Sequence, residues 1–100
     1  MNVQIHAHEF SASEQLAEFI HQKAAKLSQW FDHIIDVEVY LSLENKSGHI
    51  RDKVAKVKVN IPGNQLAAAE TRLHFEEAID QAMDNMRKQL VRQKEKMRGQ

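Results

Sequence analysis

Residues 36–63, DVEVYLSLENKSGHIRDKVAKVKVNIPG, decide the fold. Val37, Val39, Leu41 and Leu43 alternate with Glu38, Tyr40, Ser42 and Glu44. Further on, Ala55, Val57, Val59 and Ile61 alternate with Val54, Lys56, Lys58 and Asn60. A period of two sends successive side chains to opposite faces of an extended chain, so each stretch is a strand with one buried face. Between them, Asn45 to His49 contains Lys46-Ser47-Gly48 and reads as a loop. Pro62-Gly63 suits the centre of a type II turn, where proline fixes a negative φ and glycine takes the positive one. A further strand is expected from Leu66 to about Leu73, weakly marked because alanine has little β-propensity.

Before this region, Val3, Ile5 and Ala7 alternate with Gln4, His6 and His8, a short strand. Ser11, with Glu14 three residues on, reads as a capping box that opens a helix. Leu16, Phe19, Ile20, Leu27 and Phe31 keep helical spacing to about Phe31. After it, Phe75, Ile79, Ala82, Met83, Met86, Leu90 and Met97 draw one helical stripe from Phe75 to about Arg98. The order β-α-β-β-β-α predicts an α+β fold. The first two strands flank a helix and can lie parallel, and the others follow by hairpins. Both helices belong on one face of a four-stranded sheet. The other face is left open, with Gln4, His6, His8, Glu38, Tyr40, Lys56, Lys58 and Asn60 on it.

The last helix carries a charge division. Its first ten residues hold Glu76, Glu77, Asp80 and Asp84 and no base, whereas residues 85–100 hold Arg87, Lys88, Arg92, Lys94, Lys96 and Arg98 against Glu95 alone. The terminal segment is thus +5 in a chain of net charge zero, and residues 1–84 must carry −5. A helix from Phe75 to Arg98 is ~36 Å long at 1.5 Å per residue, against a four-stranded sheet ~20 Å wide. Its basic end is therefore expected to overhang the sheet. Arg87, Lys94 and Arg98 fall on one flank of the stripe and Lys88, Arg92 and Lys96 on the other, an arrangement able to grip a phosphate backbone. Complementation of the helix dipole explains the acidic start but acts mainly within the last turn, so it leaves most of the bases unexplained. Lys23 sits inside the apolar arc of the first helix, where its stem can cover apolar surface while its ammonium reaches water. With Lys26 it forms a second basic patch.

Other chemistry is thin. The 100 residues suit one domain with a modest core. There is no cysteine, hence no disulfide or thiolate metal site, which fits a cytoplasmic protein. No apolar run is long enough to span a membrane, and MNVQIHAHEF has no signal-peptide pattern. His6 and His8 share a strand face, but sequence places no third ligand. Tyr40 and Trp30 are candidates for stacking on bases, with packing at the end of the first helix the plainer role for Trp30. No nucleophile–base set, P-loop or dinucleotide fingerprint is present, so no enzyme, cofactor or small-molecule substrate is expected.

The element order, Lys23-Ala-Ala-Lys26-Leu27 followed by Trp30-Phe31, the Pro62-Gly63 hairpin, Ala78-Ile79-Asp80, Arg87-Lys88-Gln89-Leu90 and Lys94-Glu95-Lys96 together resemble the short hibernation-promoting factors. These belong with the ribosome-associated inhibitors of the sigma-54 modulation protein family. The resemblance implies a single ribosome-binding domain over residues 1–100, with a basic helical extension at about 85–98. It implies binding to the small ribosomal subunit and its 16S rRNA, in the channel of messenger and transfer RNA, with translation stopped in stationary phase or stress. By position, the implied RNA contacts are Lys23, Lys26, Arg87, Lys88, Arg92 and Lys94; Lys56, Lys58, Lys96 and Arg98 are additional candidates. Many members carry Asp-Met-Tyr before the Ala-Ile-Asp segment; here Leu73-His74-Phe75-Glu76-Glu77 stands there, and Phe75 is expected to pack or stack. The domain by which long members pair ribosomes, and the acidic tail of some inhibitory members, are not in this chain. Inactivation of single ribosomes, or pairing helped by a separate dimerising factor, both remain open. The competing readings are a general binder of double-stranded or structured RNA and, with less support, a metal-dependent enzyme or sensor built on the histidines or the acidic helix start.

Overall fold

In the computed structural model, which describes residues 1–44 and 52–99, six principal elements follow the expected order. They are β1 (Asn2–Ala7), α1 (Glu14–Lys26), β2 (Asp36–Glu44), β3 (Asp52–Ile61), β4 (Asn64–Arg72) and α2 (Phe75–Arg98). The loop expected at Asn45–His49 lies outside the described residues. The sheet runs β1-β2-β3-β4, with β1 parallel to β2 and the other neighbours antiparallel. Val3 pairs with Val37, Val39 with Val57, and Val57 with Ala68, so the apolar positions of all four strands fall on one face. The expected open face is also found: none of Gln4, His6, His8, Glu38, Tyr40, Lys56, Lys58 and Asn60 is buried.

The core is the seam between that apolar face and the two helices. Ile20, Ala24 and Leu27 enter it from the α1 side, Val37, Val39, Leu41, Val57 and Val59 from the strands, and Ile79, Met83, Met86 and Leu90 from α2. Among the described residues every buried side chain is apolar. Leu90 is the last buried residue of α2, and residues 95–99 are all exposed. The basic end therefore overhangs, in a molecule 50 Å along its longest axis.

Three local readings change. The cap of α1 is Ser13, whose Oγ accepts from the Leu16 N–H at 3.1 Å, and not Ser11. Phe10 stacks on Phe75 with ring centroids 5.1 Å apart, and Ala12 packs on the core. These contacts tie down the chain ahead of α1, so the second serine is the one placed to cap, and Glu14 becomes the first helical residue instead of a box partner. The α-helix also ends at Lys26, and Leu27–Gln29 tighten into a 3-10 turn before Trp30. Finally, β4 starts at Asn64 because the Pro62-Gly63 turn closes the hairpin in two residues, with Gly63 at φ 77° and Ile61 paired to Asn64. Ser13→Ala should lower stability by about 1 kcal/mol; a thermal melt of the variant checks it, and an unchanged midpoint would deny the cap.

Candidate nucleic-acid interface

α1 and α2 lie side by side on the sheet, and their polar flanks meet along a groove of about 210 Å³. Leu27, Trp30 and Met83 give it an apolar lining, while Lys23, Lys26, Arg87, Asp80 and Asp84 bring the charge. Lys23 behaves as its odd place in the apolar arc suggests. Its Nζ lies 5.4 Å from the centre of the Phe19 ring, so the stem covers apolar surface. The ammonium then finds Asp80 of α2, Nζ to Oδ1 2.7 Å, instead of open water. Arg87 donates to Asp84 Oδ1 from both Nε (3.2 Å) and Nη2 (3.0 Å), and its guanidinium lies 5.5 Å from the centre of the Trp30 ring. Lys88 Nζ approaches Asp84 Oδ2 at 3.4 Å. The hydrogen bonding from Arg87, aided by the two positive charges, holds the Asp84 carboxyl below the usual carboxylate range, so it stays ionised at neutral pH.

The cations of α2 divide between two sides, as the helical projection predicts. Arg87 faces the α1 groove, and Lys94 and Arg98 line a depression with Phe31, Asp32 and His33. Lys88 and Arg92 face β4 across a depression of about 320 Å³ that also holds Glu70 and Arg72. Lys96 is exposed on the overhang. Among the described residues no acid stands within ion-pair distance of Lys26, Arg92 or Lys94, which leaves these three free where Lys23, Arg87 and Lys88 are paired.

Sequence reasoning missed Arg72. It is in phase with Leu66, Ala68 and Glu70 on β4, which puts it on the helix-bearing face beside Lys88 and Arg92, and its Nη2 pairs with Glu70 Oε1 at 3.0 Å. The parity of β4 was the available signal.

Lys56 and Lys58 are not brought to this surface. They project from the other side of the sheet, where the Lys58 ammonium lies 5.2 Å from the centre of the Tyr40 ring. Tyr40 stacks on His6 with centroids 4.7 Å apart and donates its hydroxyl to Glu38 Oε2 at 2.8 Å. That hydrogen bond, with the carboxylate charge, raises the phenol above its ordinary pKa. Tyr40 is therefore engaged within its own face. Among the described residues no three histidine or carboxylate side chains are gathered as a metal site would need. Phe75 packs on Phe10, as expected of it. No helix among the described residues is long and apolar enough to cross a membrane.

A mixed four-stranded sheet covered on one face by two helices, one of them long and basic at its end, defines a class of small α+β proteins. Residues 3–98 match the family described as sigma 54 modulation protein / S30EA ribosomal protein, and the chain belongs to that family. Among its relatives, the ribosome hibernation promoting factor of Salmonella typhimurium is 37% identical over 98 residues, 98% of each chain. The Escherichia coli K12 protein of the same name is 35% identical with the same coverage. The Bacillus subtilis ribosome hibernation promotion factor is 31% identical, and this chain spans 50% of its length. Among solved structures, the N-terminal domain of Thermus thermophilus Protein Y superposes with a TM-score of 0.79 at 25% identity, covering 92% of this chain and 98% of that one. A ribosomal subunit interface protein from Coxiella burnetii shares the fold, with a TM-score of 0.82 at 21% identity, over 94% of this chain and 98% of that one.

Proposed function

We propose that this chain is a non-enzymatic ribosome hibernation factor. It binds the small ribosomal subunit through cations of its two helices, occupies the channel of messenger and transfer RNA, and stops translation in the cytoplasm under stress or in stationary phase. The whole chain acts as one ribosome-binding domain, and its partner there is 16S rRNA. The observation that carries this reading is the run of cations along the two helices: Lys23, Lys26 and Arg87 at the groove, Lys94 beside Phe31, and Lys88 and Arg92 on the β4 side of α2. Lys96 and Arg98 extend the basic surface along the overhang. Arg72 joins it from β4. Lys56 and Lys58 sit on the opposite face and are assigned no part in this contact.

Cations spread along both helices, around the groove and on both flanks of α2, suit a phosphate backbone, whose charge dominates affinity and makes it salt-dependent. Six phosphate contacts predict a slope of about −4 to −5 for log K against log salt. Co-sedimentation with ribosomes and separated subunits in sucrose gradients, at several salt concentrations, measures that slope and identifies the subunit. A slope near zero, or protein left at the top of the gradient at low salt, would remove the proposal.

A further inference from the structure

The two acids in the middle of this basic surface call for a ligand with more than phosphate. Asp80 and Asp84 border the groove between α1 and α2, and their side chains are 53% and 46% exposed. A phosphate oxygen entering there meets carboxylate repulsion and an apolar floor. A base with paired N–H donors on its edge suits both: its faces match the apolar floor, its edge donates to the carboxylates, and its own phosphate can stay at the rim with Lys26 and Arg87.

We infer that the groove is a pocket for a single unstacked nucleobase carrying an exocyclic amine, guanine above all, extruded from the RNA whose backbone the surrounding cations hold. The inference rests on the RNA-binding reading above and gives it a base-specific site. Three features fit the occupant. Single-stranded bases are commonly held by stacking on aromatic rings and on guanidinium planes, and here the Arg87 guanidinium already lies over the Trp30 indole, 38% exposed at the groove wall. An ionised carboxylate only accepts, and its two oxygens offer about four sites, so the ion pairs to Lys23, Arg87 and Lys88 leave room for a base donor. The pairing of Asp84 keeps it ionised, hence an acceptor, at neutral pH. Guanine presents an adjacent ring N–H and amine to a carboxylate; uracil presents two carbonyls beside its single N–H, which the carboxylates repel.

Trp30 is the chain's single tryptophan and reports on the groove directly. Its fluorescence is followed during titration with three hexaribonucleotides of uridine, unmodified or carrying one central guanosine or one central abasic ribose. The expected result is that the guanosine oligonucleotide alters Trp30 emission and binds about tenfold more tightly than the other two. In the Asp80→Asn, Asp84→Asn double variant that preference should vanish, while backbone affinity holds or rises because two repulsive charges are gone. Equal affinity for all three, an undiminished preference in the folded double variant, or silent Trp30 emission up to millimolar oligonucleotide would each overturn the pocket. Ribosome co-sedimentation run in parallel separates the two ideas. If ribosomes are bound without base preference, the pocket alone fails; if base preference appears without ribosome binding, the pocket stands and the ribosome is the wrong partner.

Discussion

Reversing Arg87, Lys88 and Arg92 to glutamate should weaken ribosome binding by about a thousandfold while leaving a folded protein. Two unit charges about 4 Å apart in water interact by about 1 kcal/mol. Three attractions lost and three repulsions gained come to about 6 kcal/mol, which salt screening reduces to about 4, or three decades in affinity. The fold survives because none of the three side chains belongs to the core. Their pairing is also worth little to stability: the Arg87 side chain is 36% exposed and that of Lys88 61%, and exposed ion pairs contribute under about 1 kcal/mol. Two further carboxylates near Asp84 add about 0.2–0.5 kcal/mol of repulsion per helical pair. The melting midpoint should fall by only a few degrees. Full co-sedimentation of the folded triple variant would sink the proposed function.

Among Lys23, Lys26, Arg87, Lys88, Arg92 and Lys94, single reversals should not be equal. Arg87 and Lys88 are held by Asp84, and Lys23 by Asp80, so each must loosen an ion pair before it engages a phosphate. Lys26, Arg92 and Lys94 start free among the described residues, and their net attraction for RNA is correspondingly larger. Charge counts along the sequence give all six the same weight.

That difference marks how far the sequence could be read. The bounds of α2 were legible because a stripe sustained over six turns, from Phe75 to Arg98, has no competing strand reading. The central strands were legible because their apolar residues, Val54 and Tyr40 apart, occupy one parity in both β2 and β3. The division of basic residues between two flanks of α2 followed from the same projection. The pairing of Lys23 with Asp80 did not, since periodicity assigns a face to each helix but not its rotation or height against the neighbour. Nor did the separation of Lys56 and Lys58 from the other bases receive weight, though their parity opposes that of Val57 and places them across the sheet. Glu9 was invisible for another reason. It takes φ 66°, in the left-handed region, and nothing in a glutamate announces that conformation. The α1 cap was ambiguous between two serines, and the choice was made by Phe10 and Ala12, whose contacts reach outside the helix.

Val57→Asp should remove most or all of the stability of the fold, and with it every function of the surface above. Val57 is fully buried on β3, between Val39 on β2 and Ala68 on β4, and every member of the surrounding core cluster is apolar. The substitution forfeits about 2 kcal/mol of side-chain burial. It also leaves a carboxyl without partners. Such a group takes up a proton instead of remaining ionised, yet the neutral form still costs about 1–3 kcal/mol as an unsatisfied polar group, and the ionised form costs several more. The total approaches the 5–15 kcal/mol that is typical of a whole domain. The measurable result is a melting midpoint lower by tens of degrees, or no transition at all. The pH dependence identifies the cause. Burial raises the folded-state pKa of the new carboxyl above its unfolded value, so the folded state binds more protons, and stability recovers as pH falls below that raised pKa. Lys56→Asp is the matching control. It introduces the same side chain one residue earlier on the same strand, but at an exposed position of the open face, and should shift the midpoint by no more than a few degrees. A similar loss in both variants would contradict the division of β3 into a buried and an open face, on which the placement of both helices and their cations depends.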